Sequence, residues 1–318
     1  MFEKVNAGHP DKMADRLAGA VVDLVYERAG GLTKANPRVA CEVMAGHGRV
    51  DVQIETSLGR LDLRADDLDP LIHRLFGERV EGHVLIAPQD PHLSDNQTRG
   101  LRCGDNGIFK GCPPTEEQRV LTAIAATIYG TIPYDGKYIL AEKRMQDVMG
   151  FGGDDMCYEL TTCQSHATRE ELEDIIDAAI VPMIGKSDIA HRINYTNKIN
   201  PLGPWTGGID VDCGCTNRKL GSDMGDGVTG GGLMGKDLSK ADVSVNIVCF
   251  LKAVASGQVV TAICSIGDES VTFVYADGRT ETERFADIVE QARLYILTDC
   301  GGSFEKFAEW GLIRAKDL

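Results

Sequence analysis

Long apolar runs are missing from this sequence. No stretch approaches the ~18 to 20 uninterrupted apolar residues of a membrane-spanning helix, and the opening "MFEKVNAGHPDKMADR" holds no apolar run of signal-peptide length. The expectation is a soluble, cytoplasmic protein with no membrane partner. Positive charge is also short: 33 Lys and Arg stand against 48 Asp and Glu, a formal net charge of -15. That balance argues against a general nucleic-acid surface, because such binding needs phosphates neutralised by Lys and Arg. Any anionic ligand must be held by a local cluster of cations. Zinc-like cysteine pairs are missing as well. The ten Cys are scattered, several inside apolar runs, as expected of reduced core thiols. Cys213 and Cys215, in "DCGCTNRK", have neither a second pair nor a nearby His.

What is present suits a globular chain. The 318 residues, 43% hydrophobic and 25% charged, suffice for two or three packing units. "PDKMADRLAGAVVDLVYERAGG" predicts a helix, with Met13, Leu17, Val21, Leu24 and Val25 on one face, Pro10 in the first turn and a stop at Gly30 and Gly31. "RVACEVMA" and "RVDVQIETS", separated by "GHG", predict a hairpin, and a helix follows near 66 to 76. The order recurs with a helix at about 115 to 129, strands near 137 to 143 and 156 to 165, and a helix at about 168 to 181. It recurs again with the helical "DLSKADVSVNIVCFLKAVASG", strands "QVVTAICSIG" and "SVTFVYADG", and a helix at about 283 to 297. The expected fold is α+β, with three similar subdomains at 1–95, 96–198 and 199–318. Each would pack a small antiparallel sheet against helices and leave the opposite sheet face free to meet another subunit.

Two stretches break this rhythm. Residues 85 to 112, rich in Pro, Gly, Asp and Asn, are expected to form a long lid or binding loop. Residues 199 to 242 carry eleven of the 36 glycines together with Arg218, Lys219, Lys236 and Lys240. Within them "GGGLMGKDLSKAD" imitates a P-loop, with Gly230, Gly235 and Lys236 in place but Asp237 where a Ser or Thr belongs. The preceding "GSDMGDGVTG" cannot be the buried strand that a P-loop follows. The segment reads instead as an anion site at a helix starting near Asp237, with Lys236 and Lys240 on one face and Asp242 placed to take a cation. A second helix mouth, "NAGHPDKMAD", brings His9 and Asp11 together. The spacing leaves two readings open: a phosphate donor beside a Mg²⁺ carboxylate, or a capped helix with a charge-complementing Asp.

These pieces together resemble the S-adenosylmethionine synthetases (methionine adenosyltransferases). "GHPDK", "ACE", "GDNG", "INP", "DCG" followed by "RK", and "GGG" leading into "GKD" and "SKAD" occur in that family's order, from Glu3 to about Gly311. The resemblance implies three α+β subdomains in pseudo-threefold arrangement. It implies a homodimer, or a dimer of dimers, with shared active sites. The implied substrates are ATP and L-methionine, and the implied cofactors are two Mg²⁺ per site and K⁺. The implied reaction is attack of methionine sulfur on ribose C5′, followed by hydrolysis of tripolyphosphate to phosphate and pyrophosphate. By the same resemblance His9, Lys137, Arg218, Lys219, Lys236 and Lys240 contact the phosphates. Asp11 and the partner's Asp242 bind Mg²⁺, and Glu42 lies at a K⁺ site. Glu55 and Gln89 hold methionine, Asp105 and Asp212 lie around methionine and adenosine, and Trp205 meets adenine. The sequence departs from the family at Ala7, where an acidic residue precedes "GHPDK", at "TNRK" in place of a "TGRK"-like run, and in a triple-glycine loop shorter by one residue. A tripolyphosphatase or ATP hydrolase, or a regulatory member without activity, are the alternative readings.

Overall fold

The structure is a computed structural model that describes residues 1–59, 62–92, 100–150, 155–195 and 198–315. Helix α1 (Pro10–Arg28) begins where His9 caps it, the imidazole Nδ1 accepting from the Asp11 N–H at 3.2 Å. It ends before Gly30 and Gly31, both with positive φ. On its apolar face Leu17, Val21 and Val25 are fully buried and Met13 and Leu24 partly so.

That face lies on the first sheet, whose strands are, in order, 81–88, 49–56, 39–46 and 214–215. Strands β2 (Val39–Gly46) and β3 (Arg49–Thr56) alternate strictly: Val39, Cys41, Val43, Val50, Val52 and Ile54 point inward, and the residues between them face out. His47 and Gly48, both at positive φ, make the two-residue turn that matches strand twist. β4 (Glu81–Pro88), reached through helix α2 (Asp69–Phe76), runs parallel to β3. The two-residue β9 (Gly214–Cys215) closes the other edge against β2.

The second sheet, β1-β6-β7-β8, joins β1 (Phe2–Val5) to β6 (Gly136–Arg144), β7 (Met156–Gln164) and β8 (Ile193–Asn194). Helices α3 (Glu116–Thr131) and α5 (Arg169–Ile180) form its core, each opened by a reciprocal Thr capping box; the short α4 (Met145–Met149) lies between β6 and β7. The third sheet, β12-β11-β10-β5, is wholly antiparallel and is built from β5 (Gly107–Gly111), β10 (Val260–Cys264), β11 (Ser270–Tyr275) and β12 (Thr280–Arg284). A short helix α6 (Leu220–Met224) precedes α7 (Ala241–Ser256), α8 (Phe285–Asp299) and α9 (Phe304–Trp310). One large apolar cluster runs through the first and third sheets and their helices, and a smaller one serves the second.

The α+β architecture of three small sheets is as expected, with one parallel pair in each of the first two. The sheets also exchange strands. β1 sits in the sheet of residues 136–194, β5 in that of 260–284 and β9 in that of 39–88. Two expectations are corrected. The stretch 85–112 is not all loop, since it contains the end of β4 and all of β5. And α7 starts at Ala241, not near Asp237, so Lys236 and Lys240 do not share a helical face.

Asp237 explains the difference. Its buried carboxylate accepts from Val39 N–H at 2.9 Å and from Ser239 N–H at 2.8 Å, while its own N–H donates to Val39 O at 3.0 Å. The "GKD" segment is thereby sewn to β2 before the helix begins. The acid in the P-loop Ser/Thr position is a structural knot.

Close backbone approach fixes how the third sheet meets α7. A Cβ on Gly111 would lie 2.1 Å from the Cys249 carbonyl oxygen. Gly111→Ala is expected to destabilise the fold by about 3 kcal/mol, as overpacking against backbone does, read from chemical denaturation. An unchanged denaturation midpoint would contradict the contact.

Candidate functional site

The site grows from the mouth of α1. Gly214 in β9 passes so close to it that a Cβ would lie 2.0 Å from the Pro10 carbonyl oxygen. That approach lets Cys215 N–H donate to Asp11 Oδ1 at 2.9 Å. Thr216 N–H then continues onto Val43 O at 3.0 Å, and Asn217 turns the chain at φ +61 with its N–H on Asp15 Oδ1 at 2.8 Å. The turn sends two cations back over the carboxylate. Arg218 Nε lies 2.7 Å from Asp11 Oδ1, and Lys219 Nζ lies 3.1 Å from Oδ2. Oδ2 is buried and, apart from that ion pair, has no hydrogen-bond partner.

A cavity of about 740 Å³ opens over this group. His9, Asp11, Arg218, Lys219 and Asp212 line it, Lys137 enters from β6, and residues 200–205 form a further part of the wall, ending in Trp205. That wall is fastened to β7. Asn200 accepts from Gln164 N–H at 2.8 Å and donates to the carbonyls of Gln164 and Ala167, and Trp205 O receives His166 N–H at 2.9 Å. The cavity therefore offers a half-exposed indole and a proline-rich surface together with three cations.

Beneath the floor lies a buried charge cluster. Lys12 Nζ bonds both Asp223 oxygens at 2.7 and 2.8 Å and Asp15 at 3.1 Å, and these carboxylates outweigh burial and raise its pKa. Burial pushes Asp15 up to about 7. Lys4, held by three carbonyl oxygens, is lowered to about 7 by burial. These groups hold Asn217 and, through Asp223, the helix that follows Lys219.

His9 is neutral at pH 7. Burial lowers its pKa to about 4; Asp11 opposes the shift, and Lys219 and Lys137 add to it. Because Nδ1 accepts from Asp11 N–H, the proton sits on Nε2, making that nitrogen a donor. Asp135, two residues before Lys137, is raised to about 6 chiefly by burial, partly offset by its bond from Gly208 N–H.

The remaining expected residues lie elsewhere on the chain. Glu42 and Glu55 project from the exposed face of the first sheet, where Ala40 is the register partner of both Glu55 and Lys236. Glu42 accepts from the Thr216 hydroxyl. Lys236 Nζ pairs with Asp242 Oδ2 at 2.7 Å, and Gly231 passes so near Asp242 that a Cβ would lie 2.2 Å from its Oδ1. Lys240 is the residue before α7. Gln89 follows β4 with a buried Oε1 that has no partner, and Asp105 is exposed, accepting from Asn106 N–H. None of these lines the cavity. Asp135, Cys163 and Asn200 do line it without having been read from the sequence. Asp135 had one signal, its place in "YDGK" beside Lys137. Cys163 is the register partner of Lys137, which only the sheet reveals.

Among the described residues no group of three or more His, Cys, Asp or Glu is gathered as a metal site, the Cys213–Cys215 stretch included. The buried Asp11 Oδ2, ion-paired with Lys219 but without a hydrogen bond, is nevertheless a donor that suits a hard cation whose other ligands are phosphate oxygens and water.

This fold is that of the S-adenosylmethionine synthetases. The chain superposes on an unusual S-adenosylmethionine synthetase from Campylobacter jejuni with a TM-score of 0.60 and 19% identity, covering 96% of this chain and 88% of that one. In sequence it is similar over nearly its whole length to S-adenosylmethionine synthases. It is 26% identical to that of Helicobacter pylori (strain P12) over 355 aligned positions, 99% of this chain and 88% of the relative. It is 28% identical to that of Nitratiruptor sp. over 312 positions, 88% and 77% of the two. No protein-family model matches the chain. The resemblance read from its motifs holds along nearly the full length.

The His9 shift has a pH signature. Between about pH 4 and 6.5 the unfolded chain binds more protons at His9 than the folded one, so this residue makes stability rise with pH across that window. His9→Gln is expected to remove that part of the slope, measured as the parent-minus-variant difference in unfolding free energy. A difference that stays flat from pH 4 to 6.5 would contradict a buried, neutral His9.

Proposed function

We propose that the chain makes S-adenosylmethionine from ATP and L-methionine and then hydrolyses the tripolyphosphate. The observation that carries this reading is the meeting, around one cavity, of His9, Asp11, Lys137, Arg218 and Lys219 with Trp205 and Asp212. Similarity to proteins named S-adenosylmethionine synthase supports it. The relatives' name implies a transferase that binds ATP.

Chemically, the methionine sulfur forms a bond to C5′ as the C5′–O bond breaks, and the electron pair leaves on tripolyphosphate. Sulfur needs no general base, so the protein must align reactants and stabilise the charge that develops on the departing oxygen. Trp205 would stack on adenine. Neutral His9, protonated at Nε2, would donate to the departing oxygen, and Lys137, Arg218 and Lys219 would hold the phosphates. Asp11, whose Oδ2 lies 3.1 Å from Lys219 Nζ, would hold Mg²⁺, which when bound spreads the phosphate charge.

Cations and carboxylates outside this cavity belong, in our reading, to the site of a second copy in a homodimer or a dimer of dimers. That copy's Lys236, Lys240 and Asp242 would approach the phosphates, with Asp242 on a second Mg²⁺. Its Glu55, Gln89 and Asp105 would hold methionine. Glu42 would serve K⁺. The division into 1–95, 96–198 and 199–318 is kept as the proposed subdomain plan, with strands shared across it.

The test is incubation of the protein with ATP, Mg²⁺ and K⁺, with and without methionine, followed by mass spectrometry. Methionine-dependent S-adenosylmethionine with equal phosphate and pyrophosphate is expected. Phosphate release without S-adenosylmethionine would replace the proposal with a hydrolase, and no turnover would replace it with a regulatory protein.

A further inference from the structure

We infer that Asn217 is a positioning residue that holds the two phosphate-facing segments of the chain at a fixed separation. The inference rests on the proposed reading of those segments. Asn217 sits at φ +61, a region Asn tolerates better than most residues. Three hydrogen bonds use that pose. The backbone N–H donates to Asp15 Oδ1 at 2.8 Å, the side-chain Oδ1 accepts from Met234 N–H at 2.8 Å, and Nδ2 donates to Met234 O at 3.3 Å. The amide thus pairs with both polar groups of one residue, as a neighbouring β-strand would.

What the clip joins gives it meaning. The residues after Asn217 are Arg218 and Lys219, which line the cavity. Two residues beyond Met234 stands Lys236, paired with Asp242 at 2.7 Å on the other side of the site plan. Met234 is buried and Gly232 packs against the amide, where a Cβ would lie 2.4 Å from Asn217 Cγ, so the glycine segment is seated on Asn217. The far end is firm as well, because Asp15 is buried and held by Lys12. A displacement of Met234 therefore moves Lys236 relative to Arg218.

Isothermal titration with inorganic tripolyphosphate and Mg²⁺, together with steady-state kinetics, tests this on the full-length protein. Asn217→Gly keeps the left-handed turn and removes both side-chain bonds. It is expected to lower tripolyphosphate affinity and kcat by about tenfold each, while KM for methionine stays near the parent value and the thermal midpoint falls by no more than a few degrees. Asn217→Asp keeps the bond from Met234 N–H, loses the donor and adds an anion; it should lose at least as much affinity, and it decides the matter if the glycine variant does not fold. Unchanged affinity and kcat in a folded variant, or a lowered midpoint alone, would overturn the inference. A parent that binds no tripolyphosphate would overturn the phosphate reading, and this inference with it.

Discussion

The site depends on one buried carboxylate. Asp11 stands in the first turn of α1, where the helix dipole and free amides favour negative charge, and it collects Cys215 N–H, Arg218 and Lys219. Burying an ion is costly unless it is paired and hydrogen-bonded, so the position of β9 and the direction of the two cations are tied to it. Gly214 makes the approach sterically possible, and Asn217 with Asp15 turns the chain back over it. The same pairing leaves Oδ2 with Lys219 as its ionic partner, at the wall of a cavity with three cations. An anionic ligand entering there meets charge already held in place.

In the proposed reading a second chain completes that arrangement. The exposed face of the first sheet presents Glu42 and Glu55, with Lys236 in register against Ala40, away from the cavity. Exposed apolar side chains, among them Met44 and Leu85 on the same sheet and Ile108 and Ile263 on the third, share these open faces. A sheet face carrying both apolar surface and charge suits a partner surface, and in the proposed dimer an isologous pairing would bring each chain's second group to the other's cavity. In the proposed dimer such sharing would account for cations on two sides of one small protein with a net charge of -15.

How much of this the sequence carried differs by kind of feature. Helices α1, α3 and α5 were legible because their apolar periodicity and caps agree, and the β2–β3 hairpin because "GHG" sits between alternating runs. Strands β1, β5 and β9 were not, since two to five residues carry no usable period and their partners lie far along the chain. The start of α7 was misplaced because Gly235, Lys236 and Asp237 imitate an anion-binding helix mouth, whereas Asp237 turns its carboxylate back on Val39 and Ser239. Among the cavity residues, His9 and Asp11 stand out at a helix start, where spacing leaves a capped helix and a phosphate and Mg²⁺ pair both open. Asp135, Cys163 and Asn200 reach the cavity only through the β6–β7 register and the bonds Asn200 makes.

The claim that each active site draws on two chains is tested most directly by complementation. Asp11→Asn and Asp242→Asn variants, each expected to be inactive, would be produced together with different tags, and the mixed dimers purified and assayed for S-adenosylmethionine. A mixed dimer holds one site with both substitutions and one with neither, so activity near half that of the parent dimer is expected, or roughly a quarter before purification from random pairing. Mixed dimers as inactive as either variant would show that Asp11 and Asp242 serve the same site from one chain, and the shared-site account would fall.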